Sequence, residues 1–336
     1  MSATIKDIAL KANVALSTAS NVLNRKGGPI KVSPGTSAKV FAAAKALNYT
    51  PNVMAQCLRR GKTYLVGVMI EDIVPNFVPE LLKGIEDVLH KSGYSILLCS
   101  HGKEDKGTTS RVEFLRSKKV DGVIVMPSGI SDFSVTFKSM TDKGVPMVLL
   151  GYPSCKADCP RVYVDEEKIG LIAARYLLKL GHKEILSMNR RRPACTVAFN
   201  KTILKNGARC HYEIPEIHDN FEYGRAAIKM IVRQKLPITA VFAYNDISAA
   251  GAIYEAQQQG INIPSDISIL GVDDLPICKM VYPNITSVSQ PKNEQGIVAG
   301  KTLVDLMEGK PKTDRDIVLT PRLIERDSCA LYSRQK

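Results

Sequence analysis

Residues 4–23 read TIKDIALKANVALSTASNVL, and this stretch decides the class of the first domain. Thr4 followed three residues later by Asp7 is a variant of the capping box, which predicts that a helix begins here. Asn13 tolerates a left-handed backbone and predicts a tight turn after that helix. A second short helix is expected over Leu16–Leu23, because its apolar residues again recur at helical spacing.

The second helix has two chemically different faces. Its inner face is apolar and consists of Ala19, Val22 and Leu23. Its outer face consists of Leu16, Ser17, Ser20 and Asn21. Two helices joined by a short turn, the second with a polar outer face, are typical of helix-turn-helix proteins that read DNA. A third helix is expected from the Ser33-Pro34 cap to about Leu47.

The positive charge of the chain is concentrated near its amino terminus. The whole chain has a net charge of +13. Residues 1–62 contain ten Lys and Arg residues against one acid, which gives +9 and leaves +4 for all the other residues. A basic segment beside a near-neutral body is typical of a protein that binds a polyanion, and a merely solvated basic face is the alternative.

The composition of the 336 residues excludes several classes of protein. A chain of this length needs two or three domains. No apolar run approaches the roughly 18 residues of a membrane span, and the first residues are polar rather than a secretion signal, so we expect a cytoplasmic protein with no membrane contact. The eight cysteines include no Cys-x-x-Cys pair, so we expect reduced thiols, no metal site and no cofactor.

From Tyr64 onward, short apolar runs alternate with amphipathic segments, which predicts parallel sheets covered by helices. Strands of a first sheet are expected at 64–70, 94–99, 121–127 and 145–150. Strands of a second sheet are expected at 161–165, 184–187, 240–244 and 267–272. Two lobes of this kind bind a ligand in the cleft between the carboxyl ends of their strands.

Four groups of residues resemble the opening of the lactose-repressor/galactose-repressor family: TIKDIA at 4–9, ANV at 12–14, VLN at 22–24 and NYTPN at 48–52. The opening is especially similar to that of purine-repressor members, and the similarity continues through the chain. It implies an all-α helix-turn-helix head and an α/β body of two doubly wound parallel-sheet lobes, akin to periplasmic binding proteins. The expected boundaries are 1–51 for the DNA-binding domain, 52–62 for the hinge and 63–336 for the body, with lobe 1 at about 63–160 and 291–320 and lobe 2 at about 161–290 and 321–336.

The resemblance implies a sequence-specific transcription regulator, a repressor in the family's manner, that reads DNA through the head. Base edges in the major groove are expected to meet Leu16, Ser17 and Asn21. Phosphates are expected to meet Thr18 and Ser20, which would position the head without reading sequence. The other expected DNA-binding residues of the head are Thr4, Asn24 and Tyr49.

The hinge of the family folds on the minor groove of DNA. Asn52, Ala55 and Leu58 are spaced by three residues, as on one face of a short helix. By resemblance, Leu58 wedges into a central base step and Arg59 meets a flanking phosphate. The alternative for Leu58 is a packing role in an ordinary linker.

The same resemblance implies a small-molecule effector, sugar or nucleobase-like, held at the strand ends of the two lobes. Asn245 and Asp273 match family residues that hydrogen-bond a ring, Asp72 and Phe77 line the first lobe, and Phe221 offers a flat apolar face. Asp and Asn at strand ends also cap helices. We expect that capping role for the neighbouring Asp246 and Asp274.

Two positions depart from the family pattern at the expected effector site. Family members commonly place an effector-binding arginine where this chain has Cys195. The expected contacts are therefore Cys195 itself or, from just upstream, Arg192. Gly151 also replaces a frequent Asp. An altered ligand or a weakened pocket is consistent with both changes.

Other functions fit parts of the sequence. A solute-binding receptor for uptake would have the body but not the basic head. No Gly-x-Gly-x-x-Gly loop, Walker-type loop, Gly-x-Ser-x-Gly elbow or His-Glu-x-x-His motif is present, so we expect no catalysis. A repressor that responds only to a protein partner stays open. A homodimer on a pseudo-palindromic double-stranded operator is expected, because only eight residues follow Arg322–Ser328 and they contain no Leu heptads.

We predict that Asn21 shifts the preferred operator base at its position from G towards A. Asn pairs bidentately with adenine, whereas the Arg often found at this family position pairs best with guanine. Selection of binding sites from a random duplex library measures this preference. Retention of G at that operator position would contradict the prediction.

Overall fold

The computed structural model describes residues 3–23, 32–49, 61–73, 77–100, 105–126, 140–151, 158–189, 192–212, 217–310 and 314–332. The chain divides into two compact units, Met1–Thr63 and Tyr64–Lys336. Each unit has its own hydrophobic core.

The described residues of the first unit form three helices: α1 (Ile5–Ala12), α2 (Leu16–Leu23) and α3 (Pro34–Ala46). The predicted capping box is present, since the Thr4 side chain accepts the Asp7 N–H and Asp7 in turn accepts the Thr4 N–H. Asn13 ends α1 with a left-handed φ of 50°, which is the predicted tight turn. Fully buried Ile8, Ala19 and Val40, one from each helix, form the centre of the core.

The second unit alternates strands and helices. In chain order its regular elements are β1 (Leu65–Ile70), α4 (Val78–Lys91), β2 (Ser95–Ser100), α5 (Asp105–Ser117), β3 (Gly122–Val125), β4 (Met147–Leu150), β5 (Arg161–Val164), α6 (Glu166–Lys179), β6 (Glu184–Ser187), α7 (Pro193–Lys205), β7 (Arg209–His211), α8 (Asn220–Gln234), β8 (Ala240–Phe242), α9 (Asp246–Gln258), β9 (Ser268–Asp273), β10 (Thr286–Ser289), α10 (Lys292–Met307), β11 (Asp316–Leu319) and β12 (Arg322–Ile324).

These strands form two six-stranded sheets, and each sheet with its helices is one lobe. The order in the first sheet is β11-β5-β4-β3-β1-β2, and every pair is parallel. The order in the second sheet is β12-β10-β9-β8-β6-β7, and only β12 runs antiparallel to its neighbour. A helical head followed in the chain by two doubly wound lobes is the fold class that the sequence predicts.

Strand β5 belongs to the first sheet, which corrects the expectation that the second lobe begins at Arg161. It pairs with β4 on one side and with β11 on the other. The chain leaves the first lobe only after β5, through α6, and returns to it through α10, which packs on α4. An apolar run predicts that a strand exists, but it carries no information about which sheet edge is open to receive it.

Among the described helices of the second unit, three pairs cross with their backbones in contact, and each crossing contains glycine. An added methyl group at Gly84 of α4 would overlap the carbonyl oxygen of Asn293, and one at Gly296 of α10 would overlap that of Leu81. Gly170 of α6 lies in the same way against α7, and α8 and α9 meet at Gly224 and Gly251, which are the remaining crossing glycines. In the described part of the chain, no helix has the length and apolar composition to cross a membrane.

We predict that Gly296→Ala lowers the free energy of unfolding by about 2 kcal/mol, although alanine favours helices, because the methyl group would collide with main-chain atoms that cannot move independently. The matched control is Gly300→Ala, one turn further along α10, where the methyl group would meet the Val88 side chain at 3.0 Å. Urea unfolding followed by circular dichroism measures both. Equal stability of the two variants would contradict this account of the crossing.

Candidate functional site

The predicted DNA-reading residues that the structure describes lie on or beside α2. Leu16 and Ser17, at the start of the helix, are exposed, whereas Thr18, Ser20 and Asn21 are half-buried. The exposed start of α2 is thus free of core packing. The core contacts of this helix come from Ala19 and Val22, as the pattern of faces predicts.

Thr4 and Tyr49 have structural contacts of their own. The Thr4 hydroxyl donates to the Asp7 carboxylate at 2.8 Å, so Thr4 holds the first turn of α1. Tyr49 packs against the core of the first unit, and burial raises the pKa of its hydroxyl. The predicted contacts Asn24, Asn52, Ala55, Leu58 and Arg59 lie outside the described residues.

A cavity of about 670 Å³ lies between the two lobes of the second unit. Six of the seven predicted effector-binding residues line it: Asp72, Phe77, Arg192, Phe221, Asn245 and Asp273. Nine residues that were not predicted line it as well: Glu166, His218, Asp219, Asn220, Tyr244, Ile247, Leu275, Gln290 and Lys292. The strand-end argument therefore located the cavity, which we call the effector cleft.

A bidentate ion pair lies at one side of the effector cleft. Arg192 donates from Nε and Nη2 to the two carboxylate oxygens of Glu166, at 2.8 and 2.7 Å. Both side chains are mostly buried. Burial alone would lower the pKa of the Arg192 guanidinium, but the adjacent Glu166 carboxylate outweighs it and the pKa is raised. The arginine is held charged, in one orientation, with its planar group fixed on the carboxylate.

Cys195 does not line the effector cleft, which corrects the expectation that it replaces the family arginine there. Its side chain is fully buried, and this burial raises the pKa of the thiol to about 12. Helix α7 begins at Pro193, so residue 195 lies where the helix crosses α6 at Gly170. Arg192, just before the helix, supplies a guanidinium at the cleft instead.

Gly151, the other departure, is not among the residues that line the effector cleft. Its φ of +92° is one that residues with side chains rarely adopt. An aspartate at this position would be strained in the backbone conformation that this chain has.

A chain of polar contacts lies on another side of the effector cleft. The Gln290 amide nitrogen donates to Asp273, and Lys292 Nζ donates to Gln290 Oε1 at 2.9 Å. The Lys292 ammonium also lies 4.8 Å from the centre of the Phe77 ring. Burial lowers the pKa of Lys292, and the Asp273 carboxylate opposes that effect. Gln290 directly follows β10, which is not among the strands predicted from the sequence. Had that strand been predicted, the strand-end rule would have placed Gln290 at the cleft.

The capping roles are not distributed as the sequence suggested. Asn245 caps α9, since its Oδ1 accepts the Ser248 N–H at 2.9 Å, and it lines the effector cleft as well. Asp274 instead forms an ion pair with Arg326 at 2.6 Å. Asp246 is the first residue inside α9 rather than its cap. The expected capping by Asp246 and Asp274 is therefore wrong.

Asp246 is a buried carboxylate just behind the effector cleft. It accepts the Ser287 hydroxyl at 2.6 Å and the Leu275 N–H at 2.7 Å. Burial raises its pKa to about 7, with a further contribution from the negative charge of Asp273, while the two hydrogen bonds act in the opposite direction. The protonation of Asp246 thus depends on a residue that lines the cleft.

Both cations of the effector cleft have partners within the protein, and the lining also includes the carboxylates of Asp72 and Asp219. The Arg192 guanidinium is neutralised by Glu166, and Lys292 is linked through Gln290 to Asp273. Aromatic side chains from both lobes, Phe77 and Phe221, contribute apolar surface. Such a cleft suits an uncharged ring with several hydrogen-bonding groups. Among the described residues no group of three metal-ligating side chains occurs.

We predict that Asp246→Asn gains stability relative to the parent chain as the pH rises from about 4 to 7. The carboxyl ionises near its ordinary value in the unfolded chain but near 7 in the folded one, so the parent loses stability across this window. Urea unfolding of both proteins at several pH values measures the difference. Parallel pH profiles would show that Asp246 does not titrate as described.

Comparison with known proteins finds one matching family model within each of the two units. Residues 4–52 match the model of bacterial regulatory proteins, lacI family, and residues 174–329 match the model of the periplasmic binding protein-like domain. The chain is 31% identical over 336 residues to the HTH-type transcriptional repressor PurR of Vibrio cholerae serotype O1 (strain M66-2), which covers 97% of this chain and 98% of that protein.

Two solved structures are similar to this chain. The lac repressor dimer bound to operator and the anti-inducer ONPF superposes with a TM-score of 0.86 at 22% identity, covering 98% of this chain and 100% of that one. A LacI family transcriptional regulator from Enterococcus faecium with bound ribose gives 0.70 at 26% identity, covering 80% and 100%. The fold, the two matched models and the full-length relative together show that the chain belongs to the lacI family of bacterial regulatory proteins.

Proposed function

We propose that this chain is a cytoplasmic transcriptional repressor whose affinity for operator DNA is controlled by a small uncharged ring, a sugar or a nucleobase, bound in the effector cleft. The observation behind the proposal is that six of the residues expected to bind an effector line one cavity between the lobes. These residues are Asp72, Phe77, Arg192, Phe221, Asn245 and Asp273. Strand-end clefts of this kind are where two-lobed α/β proteins bind ligands.

The proposed DNA contacts follow from the head. Leu16, Ser17 and Asn21 would read base edges, and Thr18 and Ser20 would meet phosphates. Exposure of Leu16 and Ser17 supports the first role. For the hinge, at 52–62, we propose minor-groove binding with Leu58 as the wedge. Because a lac repressor structure is a dimer on its operator, we propose a homodimer here, which reads a pseudo-palindromic site.

Effector binding would act by changing how the lobes close. The chain passes from the first lobe to the second between β5 and α6, back between β10 and α10, and again to the second lobe between β11 and β12. A ring that contacts both lobes favours one degree of closure, and an effector changes DNA affinity only as far as it favours one state over the other. Either direction of control is compatible with this cleft.

The test is thermal unfolding of the full chain with a panel of neutral sugars, sugar phosphates, nucleosides and free nucleobases. We expect one neutral compound to stabilise the protein by about 2.7 kcal/mol at a hundred times its dissociation constant, which is roughly 5–10 °C. The Phe221→Leu variant should lose most of that shift, because the ring loses an aromatic face. Val197→Ala, on an exposed position of α7 away from the cleft, is the matched control and should keep it.

The responsive compound is then added to a duplex selected by the full chain. A change in operator affinity would support control by the effector. A strong thermal shift with a sugar phosphate would contradict the proposal that the ligand is uncharged. No thermal shift with any compound would contradict the proposal that a small-molecule effector binds in the cleft. Failure to select any duplex would contradict the DNA-binding part separately.

A further inference from the structure

A second concave surface lies outside the effector cleft, on the outer side of α6 and α7. It encloses about 1300 Å³ and is open to solvent. Its lining comes from one face of each helix: Glu167, Leu171, Arg175, Leu178 and Lys179 from α6, and Pro193, Ala194, Val197, Ala198, Lys201, Thr202, Lys205 and Asn206 from α7 and the residue after it. We call this surface the α6–α7 groove.

The floor of the α6–α7 groove is apolar and accessible. Leu171 and Leu178 of α6 are half-buried, and Val197 of α7 is 66% exposed. The side chains that line the groove recur at intervals of three and four residues along each helix, so they lie on one face of α6 and one face of α7. A contiguous apolar strip with a polar rim on a protein surface is typical of an interaction site.

The rim of the α6–α7 groove is strongly basic. Arg175 and Lys179 come from α6, and Lys201 and Lys205 come from α7, against a single carboxylate, Glu167. In the described part of the chain, none of these four cations has an ion-pair partner. Elsewhere on the second lobe, by contrast, the exposed cation Arg209 is paired with Glu184 at 2.8 Å.

We infer that the α6–α7 groove binds an acidic amphipathic helix of a partner protein. Helix α6 has 14 residues, which is about 21 Å, so the groove can hold three to four turns of a partner helix. Apolar side chains at positions i, i+4 and i+7 of the partner helix would contact the apolar floor at Leu171 of α6 and Val197 of α7. Its flanking Glu and Asp residues would meet the four cations, which sets orientation and speeds association.

The chemistry of the groove favours this occupant over two others. A nucleic acid would use the cations but would leave the apolar floor without a partner, since phosphates and sugars are polar. A second copy of this chain has an excess of basic over acidic residues, with a net charge of +13, so it complements a basic rim less well than an acidic segment does. Only a segment that is both acidic and apolar on one face complements the floor and the rim together.

The experiment uses the full chain and a fluorescein-labelled peptide of about 18 residues, with Leu at helical spacing and Glu on both flanks. Fluorescence anisotropy should show saturable binding in the micromolar range that weakens as salt rises from roughly 50 to 300 mM. Lys201→Glu should weaken binding by about tenfold or more, and Val197→Ser should do so by about threefold or more. Both positions are exposed, so the variants should unfold at the same temperature as the parent.

Two controls make the result specific. Lys301→Glu makes the same charge change at an exposed position of α10, outside the groove, and should leave the affinity within about twofold. A peptide of equal composition with its Leu residues scattered around the helix should bind at least about tenfold more weakly. These controls separate docking in the groove from attraction to a basic protein.

Three outcomes would overturn the inference: no saturable binding, equal binding of the scattered peptide, or equal loss in Lys301→Glu and Lys201→Glu. A short duplex that competes with the peptide and depends on Lys201 but not on Val197 would assign the groove to nucleic acid instead. Loss of affinity in Lys201→Glu and Val197→Ser, with Lys301→Glu unchanged, would support a protein partner.

Discussion

The ion pair between Arg192 and Glu166 is the interaction on which the effector cleft depends. Glu166 begins α6, just after the strand by which the chain leaves the first sheet, and Arg192 follows β6 of the second sheet. The pair therefore links the start of α6, where the chain enters the second lobe, to the segment that follows β6 of the second sheet. Both groups are mostly buried, so neither charge is tolerated without the other, and breaking such a pair typically costs about 3–5 kcal/mol.

Pairing of charge within the protein also determines which ligands suit the effector cleft. Glu166 satisfies the guanidinium, and the contacts from Lys292 through Gln290 to Asp273 satisfy the second cation and the Asp273 carboxylate. An anionic ligand would have to displace one of these internal partners. A neutral ring can use their remaining hydrogen-bonding positions without leaving a buried charge unpaired.

The close helix crossings make each lobe rigid, and α6 and α7 serve two surfaces at once. At the Gly170 crossing the two backbones touch, so neither helix can shift without displacing the other. The amino-terminal ends of the pair carry the Arg192–Glu166 contact, and its outer side forms the α6–α7 groove. Rigid pairs leave the connections between the lobes, such as that from β5 to α6, as the places where the body can bend.

The sequence by itself determined the features that depend on local periodicity and capping. The three helices of the head, the capping box at Thr4, the left-handed turn at Asn13 and the alternation of strands and helices all follow from side-chain spacing and backbone preference. A ligand cleft between the lobes follows from the rule that parallel strands end at the same edge, and six of the seven residues expected there line it. Resemblance to a family supplied their identities.

Only the tertiary structure decided the features that depend on contacts between distant parts of the chain. It placed β5 in the first sheet, put Arg192 rather than Cys195 at the cleft, and gave the cap of α9 to Asn245. It also brought Lys292 to Phe77, more than 200 positions away in the chain. Packing decides which sheet edge is free, where a helix begins in space and which carboxylate contacts which cation. Packing is not encoded in the spacing of residues within any single segment.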